Sequence, residues 1–460
     1  MFRSKKIFIA LIVIAVSVFS IQSLVQAEPN LLDYSSPSVV NLKTDFGVVG
    51  NGNDETEKLQ QAFTYCSQTH TTLFIPNGTY VFSNLLATGS FNIEGEHRYY
   101  TILKSKGTSG AGLDFSGLSD VKISNLTLTD NDAYEALEYG IKFGSTSGEC
   151  SENIVLDNVE VRNLRRENAV ACHVDNVKSI SANSCVFSTL NGTGFAIDGN
   201  NVEKKAGVYN FRGTNFKAGK YGFEIKDEAI VDSIAFEGCY FGADISPEKI
   251  GNGDNIKSII HLACHYENHN EPQVELGANC SGISWQNCTF VGYGSCKSVI
   301  KFEENGLYKG ISLKDCLYSD ISTEGSIINN SFGTFENCEI KLSSYGVTAL
   351  PKLFANEASC ETGGIQGWVV MDKYTDFQSN LKIGGARVLA IPTMPNPNSN
   401  TLNVSGEFNP GDTVYYVGEP TEYDSSDGSK YIVEGWKRIT PGSDNEVGTD
   451  WVEMRVFTGN

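Results

Sequence analysis

The residues best suited to chemistry fall at two positions of a recurring short strand. It reads LDFSG (113–117), IKFGS (141–145), CHVDN (172–176), FAIDG (195–199), FEIKD (223–227), IHLAC (260–264), IKFEE (300–304) and IINNS (327–331). The first and third positions are apolar, so the second and fourth project from the opposite face of a strand. The second position collects Asp114, Lys142, His173, Glu224, His261 and Lys301, and the fourth collects Asp175, Asp198, Lys226 and Glu303. If these strands stack in register, Asp175 and Asp198 stand roughly 5 Å apart at the backbone, with Glu224 roughly 8 Å from Asp198. Like charges at that range raise one carboxyl's pKa and create a proton donor beside a carboxylate. Glycoside hydrolysis needs that pair, at about 5.5 Å for retention or about 6.5–9.5 Å for inversion.

Asp175, Asp198 and Glu224 are therefore the candidate catalytic residues, with His173, Lys226, His261, Lys301 and Glu303 as candidate substrate-binding residues. The same face allows a second chemistry, in which Lys226, His173 or His261 removes the proton beside a uronate carboxylate, as a lyase or epimerase does. It also allows a non-catalytic reading, a solvated strand face with salt bridges such as Lys226–Asp198 or Lys301–Glu303 that binds glycan without cutting it. Between these strands the spacing widens around 242–257 and 264–282, which predicts loops walling a groove, with Tyr266 and Trp285 lining sugar subsites.

Such a face needs a scaffold that repeats. A second strand type supplies it: VKISNLTL (121–128), IVLDNVEV (154–161), ISANSCVF (180–187), YNFRGTNF (209–216), IAFEGCYF (234–241), ISWQNCTF (283–290), ISLKDCLY (311–318) and GTFENCEI (333–340). Its break column is Asn125, Asn158, Ser184, Gly213, Gly238, Asn287, Asp315 and Asn337, followed by Leu126, Val159, Cys185, Thr214, Cys239, Cys288, Cys316 and Cys338. The break residues are 33, 26, 29, 25, 49, 28 and 22 residues apart. A period of that size built from alternating strands predicts a β-solenoid with one turn per repeat. Stacked asparagines would bond along the bend, and the cysteines would point inward as small hydrophobes, because stacked side chains rarely reach a disulfide torsion.

The segment DFGVVGNGNDETEKLQQAF (45–63) followed by TLFIPNGTYVF (72–82) resembles the opening of the pectate-lyase-like right-handed parallel β-helix superfamily, which includes rhamnogalacturonase-like and epimerase-like enzymes and phage tailspikes. The resemblance implies an all-β right-handed parallel β-helix, a polysaccharide as partner and a homotrimer as a common assembly. Asp54 is expected to cap a helix whose Leu59, Ala62, Phe63 and Cys66 form an apolar stripe that plugs the solenoid. The paired aspartates and Gly-His-Gly segment of polygalacturonases are missing, which weighs against pectin.

Composition bounds the rest. Residues 1–27 read as a signal peptide, with Arg3, Lys5 and Lys6 before an apolar run and Val25-Gln26-Ala27 as the cleavage site, so the protein is expected to be secreted and free of the membrane. Loss of the three cations takes the formal charge from −20 to −23, and no basic block offsets it. Nucleic acid is thus not an expected partner. Residues 28–385 are assigned to the β-helix, 386–410 to a linker and 411–460 to a small antiparallel β-module whose Tyr415, Tyr416, Trp436 and Trp451 form either a small core or a sugar platform. No cofactor is expected: His265, Glu267 and His269 lack an anchoring spacing, and TDNDAY (129–134) is a thin calcium motif.

Overall fold

The computed structural model describes residues 39–130, 137–145, 150–199, 207–268, 272–303 and 306–329, shorter strands between 334 and 391, and most of 401–459. The segment 1–27 and most of TDNDAY lie outside them. The chain winds as a parallel β-helix with three strands per turn. Ile154–Asp157, Glu160–Leu164 and Val170–Asp175 make one turn, and each pairs in parallel with its successor among Ser179–Asn183, Val186–Thr189 and Thr193–Asp198.

The break column is the bend between the first and second strands. Asn125, Asn158, Ser184, Asn287 and Asp315 all have φ between 52° and 57°, and Gly213 and Gly238 lie at 54° and 59°. Only glycine and short polar residues enter this left-handed region readily, which is why the column is written in Asn, Asp, Ser and Gly. Asn158 Nδ2 donates to Asn125 Oδ1 at 2.8 Å, joining two turns side chain to side chain.

The 49-residue interval hides a full turn, because Ala263 also sits at φ 52° and divides it into 25 and 24 residues. The alternation around it reads Ile259 to Tyr266, and the strand Lys257–Leu262 pairs with Val231–Glu237 and Ser281–Gln286. The widened spacings are thus strands: Ser246–Ile250 and Val274–Leu276 continue the sheet expected to carry the site. The walling loops foreseen at 242–257 and 264–282 are replaced by this regular winding.

Inside, equivalent positions stack. Cys185, Cys239, Cys264, Cys288 and Cys316 are buried free thiols, and burial pushes the Cys185 thiol up to about 12. Cys239, Cys264, Cys288 and Cys316 donate to the carbonyls of Phe211, Phe236, His261 and Trp285 on the preceding turns, at 3.4–3.7 Å. Beside them runs an aromatic ladder, Phe211–Phe236–His261–Trp285, with ring centroids 5.0, 4.8 and 5.1 Å apart.

The helix Thr56–Thr69 buries Leu59, Ala62, Phe63 and Cys66 as expected. Asp54 accepts from the Thr56 amide at 3.1 Å. Glu55, the residue at the cap position, uses its carboxylate to hold the amides of Val49 and Gly50.

The C-terminal sheet starts before the expected linker ends. Leu381–Ile383 and Ala386–Ile391 pair with each other, and the latter pairs with Thr413–Tyr416. Antiparallel strands Glu422–Asp424, Lys430–Arg438 and Trp451–Gly459 complete it. Trp436 and Trp451 are core residues with Leu402, Phe408 and Val414, while Tyr415 is exposed.

Candidate active site

The strands that carry the site are Ala111–Phe115, Tyr139–Gly144, Val170–Asp175, Thr193–Asp198, Tyr221–Ile225, Ser246–Ile250 and Val274–Leu276, followed by the stretch ending at Phe302. Their register runs Asp114, Lys142, His173, Ala196, Glu224, Lys249, Glu275, Lys301. The expected order is correct through Glu224, and Lys249 and Glu275 then take the place assigned to His261.

His261 is on a different sheet and points inward. It is fully buried, and its Nε2 meets Glu248 Oε1 at 2.8 Å. The error follows from the hidden turn: placing Ile260–Cys264 in the outer-face series shifted its side chains to the wrong sheet. Tyr266 and Trp285 are equally buried, and Trp285 Nε1 donates to Tyr266 Oη at 3.1 Å. They belong to the core and line no subsite.

His173, Asp175, Asp198, Glu224 and Lys226 come together on adjacent turns. Asp175 and Asp198 are direct register partners, and Glu224 lies opposite Ala196, two residues before Asp198. His173 Nε2 is 3.7 Å from Asp198 Oδ2. Its Nδ1 is buried without a hydrogen-bond partner, which leaves Nε2 as the nitrogen facing the cluster. Asp175 is buried and accepts from Asn176 Nδ2 at 2.8 Å. Asp198 is half exposed and accepts from the Gly199 amide.

The electrostatics differ from the expected carboxyl pair. The hydrogen bond from His173 is the largest influence on Asp198 and holds its carboxyl below the usual aspartate range, outweighing burial. Asp198 is therefore an ionised partner of the imidazole at neutral pH, and the proximity of Asp175 does not turn it into a proton donor. Glu224 is clamped by Lys226 Nζ at 2.6 Å and Lys249 Nζ at 3.5 Å and receives the Thr193 hydroxyl at 3.2 Å. Lys226 thus pairs with Glu224, whereas the salt bridge foreseen for it was with Asp198. Burial would lower the Lys249 ammonium, but the Glu224 carboxylate prevails and its pKa rises.

Two aromatic residues complete the face. The Tyr139 ring lies 4.6 Å from the His173 ring, with Lys142 Nζ 5.5 Å from its centroid. Lys249 Nζ is 5.0 Å from the Tyr221 ring. Burial first, then Glu138, Asp198 and Asp175, push the Tyr139 phenol up, so it keeps its proton at neutral pH. Simple alternation hid both tyrosines, because each precedes a glycine. A Cβ on Gly194, the equivalent of Gly140 and Gly222, would lie 2.5 Å from the Gly222 carbonyl oxygen. The sequence signal for this column is the pair Tyr-Gly, Thr-Gly, Tyr-Gly at 139, 193 and 221.

Lys301 and Glu303 are exposed on the same face but several turns from His173. Among the described residues they form no salt bridge with one another.

Residues 39–258 match the family model described as rhamnogalacturonase A/epimerase, pectate lyase-like. The matched segment lies within the parallel β-helix and is similar to that family. The chain resembles the A-modules of the mannuronan C-5 epimerases AlgE6 and AlgE4 of Azotobacter vinelandii, with TM-scores of 0.55 and 0.56 at 15% and 16% identity. Each match covers 73% of this chain, and 96% and 98% of the respective module. At that identity the likeness is one of fold. The sequence has no significant match among curated proteins.

Proposed function

We propose that the protein is a polysaccharide-acting enzyme that removes the proton next to a uronate carboxylate, with His173 as base, Asp198 as its charge partner and Tyr139 as proton donor. The observation that carries this reading is the Tyr139–His173–Asp198 cluster. It places an imidazole between a protonated phenol and an ionised carboxylate. An imidazole partnered by a carboxylate is suited to accept a proton and to hold the resulting charge. The half-buried phenol can return a proton to carbon or to the departing glycosidic oxygen. Lys142, Lys226 and Lys249 place three ammonium groups on this face of an acidic chain, where they can meet the substrate carboxylate. Likeness in fold to two mannuronan C-5 epimerases supports the substrate class.

Hydrolysis is the second reading, favoured by the in-register Asp175–Asp198 pair and the burial of Asp175. In that case Asp175 must supply the proton, since Asp198 is held ionised and Glu224 is clamped by two ammonium groups.

A panel of mannuronan, polygalacturonate and neutral glucans tests both. Either exchange of solvent deuterium into the uronate, as epimerisation gives, or an unsaturated product, as elimination gives, supports proton removal. New reducing ends with neither exchange nor unsaturation would replace it with hydrolysis. In keeping with the leader-like segment 1–27, the proposed site of action is outside the cell.

A further inference from the structure

Beyond the His173 cluster, the fourth outward position of the site sheet changes character. Asp175, Asp198 and Lys226 are followed by Gly251 and Gly277 before Glu303. A Cβ at Gly251 would lie 2.6 Å from the Asp227 amide nitrogen, and one at Gly277 would lie 2.5 Å from the Gly251 carbonyl carbon. Two successive turns therefore carry no side chain here. The resulting trough is a cavity of about 330 Å³, walled by Lys249, Glu275 and Lys301 on one side and by Asp227 and Glu303 on the other. That volume is within the usual range of a small-ligand site. The side chains of Lys301 and Glu303 are exposed and unpaired among the described residues. Lys249 links the trough to the first site, because it lines one and clamps Glu224 in the other.

We infer that this trough is a distal subsite holding one sugar residue of the polysaccharide, gripped by Lys301 and Glu303. The chain then lies along the solenoid axis while His173 acts on another residue. Five turns separate His173 from Lys301, roughly 24 Å at about 4.8 Å per turn, so a single sugar cannot touch both. Carboxylates accept from sugar hydroxyls, and ammonium groups donate to hydroxyl or carboxylate oxygens. The inference takes its ligand class, a uronate polysaccharide, from the reading above, but its position and residues are independent of the reaction.

The test measures binding apart from turnover. His173→Gln protein, which does not consume its ligand, is titrated calorimetrically with long-chain mannuronan and polygalacturonate and with their disaccharides. The titrations are repeated after adding Lys301→Ala, Lys301→Glu or Glu303→Gln. The expected result is about tenfold weaker polymer binding in the added variants, with charge reversal the most severe. Disaccharides, which cannot span the two sites, should show a smaller loss. Unchanged polymer affinity in all three, or no binding of either polymer to the His173→Gln protein, overturns the subsite. If binding depends on Lys301 while wild-type protein turns over no polymer, the subsite stands and the reaction assignment alone fails. Matching melting temperatures establish that the added substitutions leave the fold intact.

Discussion

Glu248 and His261 meet in the middle of the solenoid, Oε1 to Nε2 at 2.8 Å, with both side chains wholly buried. Tyr266 donates to the other Glu248 oxygen at 3.0 Å, Trp285 donates to Tyr266, and His261 Nδ1 lies 3.1 Å from the Ser284 carbonyl oxygen. Burial by itself would depress the imidazole pKa, but the Glu248 carboxylate prevails and holds it above its ordinary value. A raised folded-state pKa stabilises fully below the unfolded value near 6.5 and loses that contribution as pH rises through the folded value. Melting temperature should therefore fall as pH rises above about 6.5. Glu248→Gln should cost about 3 kcal/mol and flatten that dependence. A double change to Glu248→Val and His261→Phe should recover much of the loss, since Phe223, Val274, Phe236 and Trp285 already stack on these positions. Identical pH–melting curves for wild type and Glu248→Gln would falsify the role given to this pair.

Ala263 occupies the left-handed bend at φ 52° without the side chain or the freedom that suits it. Its column neighbours are Gly238 and Asn287. Ala263→Asn should gain about 1 kcal/mol, because the short polar amide tolerates the left-handed region better than a methyl group and can bond along the column to Asn287, as Asn158 does to Asn125. Thermal denaturation reads this directly. A lower melting temperature would mean that the alanine is preferred there for a reason other than backbone conformation.

Ala263 also explains how far the sequence could be read. Where the bend is written in Asn, Ser, Gly or Asp, the repeat announces itself, and the turns up to Glu224 fall into register by inspection. At Ala263 the signal lapses, and the two turns containing Ser246–Ile250 and Val274–Leu276 read as loops. Glu248 deepened the confusion, because an inward-facing glutamate reverses the apolar–polar alternation that marks a strand. Asp175, Asp198, Glu224, His173 and Lys226 were legible because they stand on ordinary turns. Lys249 was hidden by the lapse, and Tyr139 and Tyr221 by the glycine that follows each, which interrupts the apolar–polar alternation.

The cysteine column should tolerate one replacement and reject another. Thr214 occupies the same column and donates to the Ala182 carbonyl at 3.0 Å, matching the bond from Cys264 to Phe236. Cys264→Thr should therefore stay within about 1 kcal/mol of wild type. Cys264→Leu should overpack the ladder and cost about 2 kcal/mol or more. Chemical denaturation of the two variants checks the order. In the native protein the buried thiols should resist alkylation until the solenoid unfolds.

The reaction assignment makes a kinetic prediction that separates Asp198 from Tyr139. Because His173 holds the Asp198 carboxyl low, Asp198 stays ionised through about pH 4 and supports the imidazole across the working range. Asp198→Asn should lower kcat by roughly 10²–10⁴-fold with a smaller change in KM, as expected for a group that matters most when the imidazole carries charge. Tyr139 lies on the other side of His173, and its raised phenol pKa keeps the proton in place past about pH 10. Tyr139→Phe should lower kcat by roughly 10²-fold while leaving the acid limb of the pH profile where it is, since the phenol does not titrate there. Steady-state kinetics on the polymer that wild type turns over decide the matter. Near-wild-type rates in both variants would remove His173 from the centre of the reaction and return attention to Asp175.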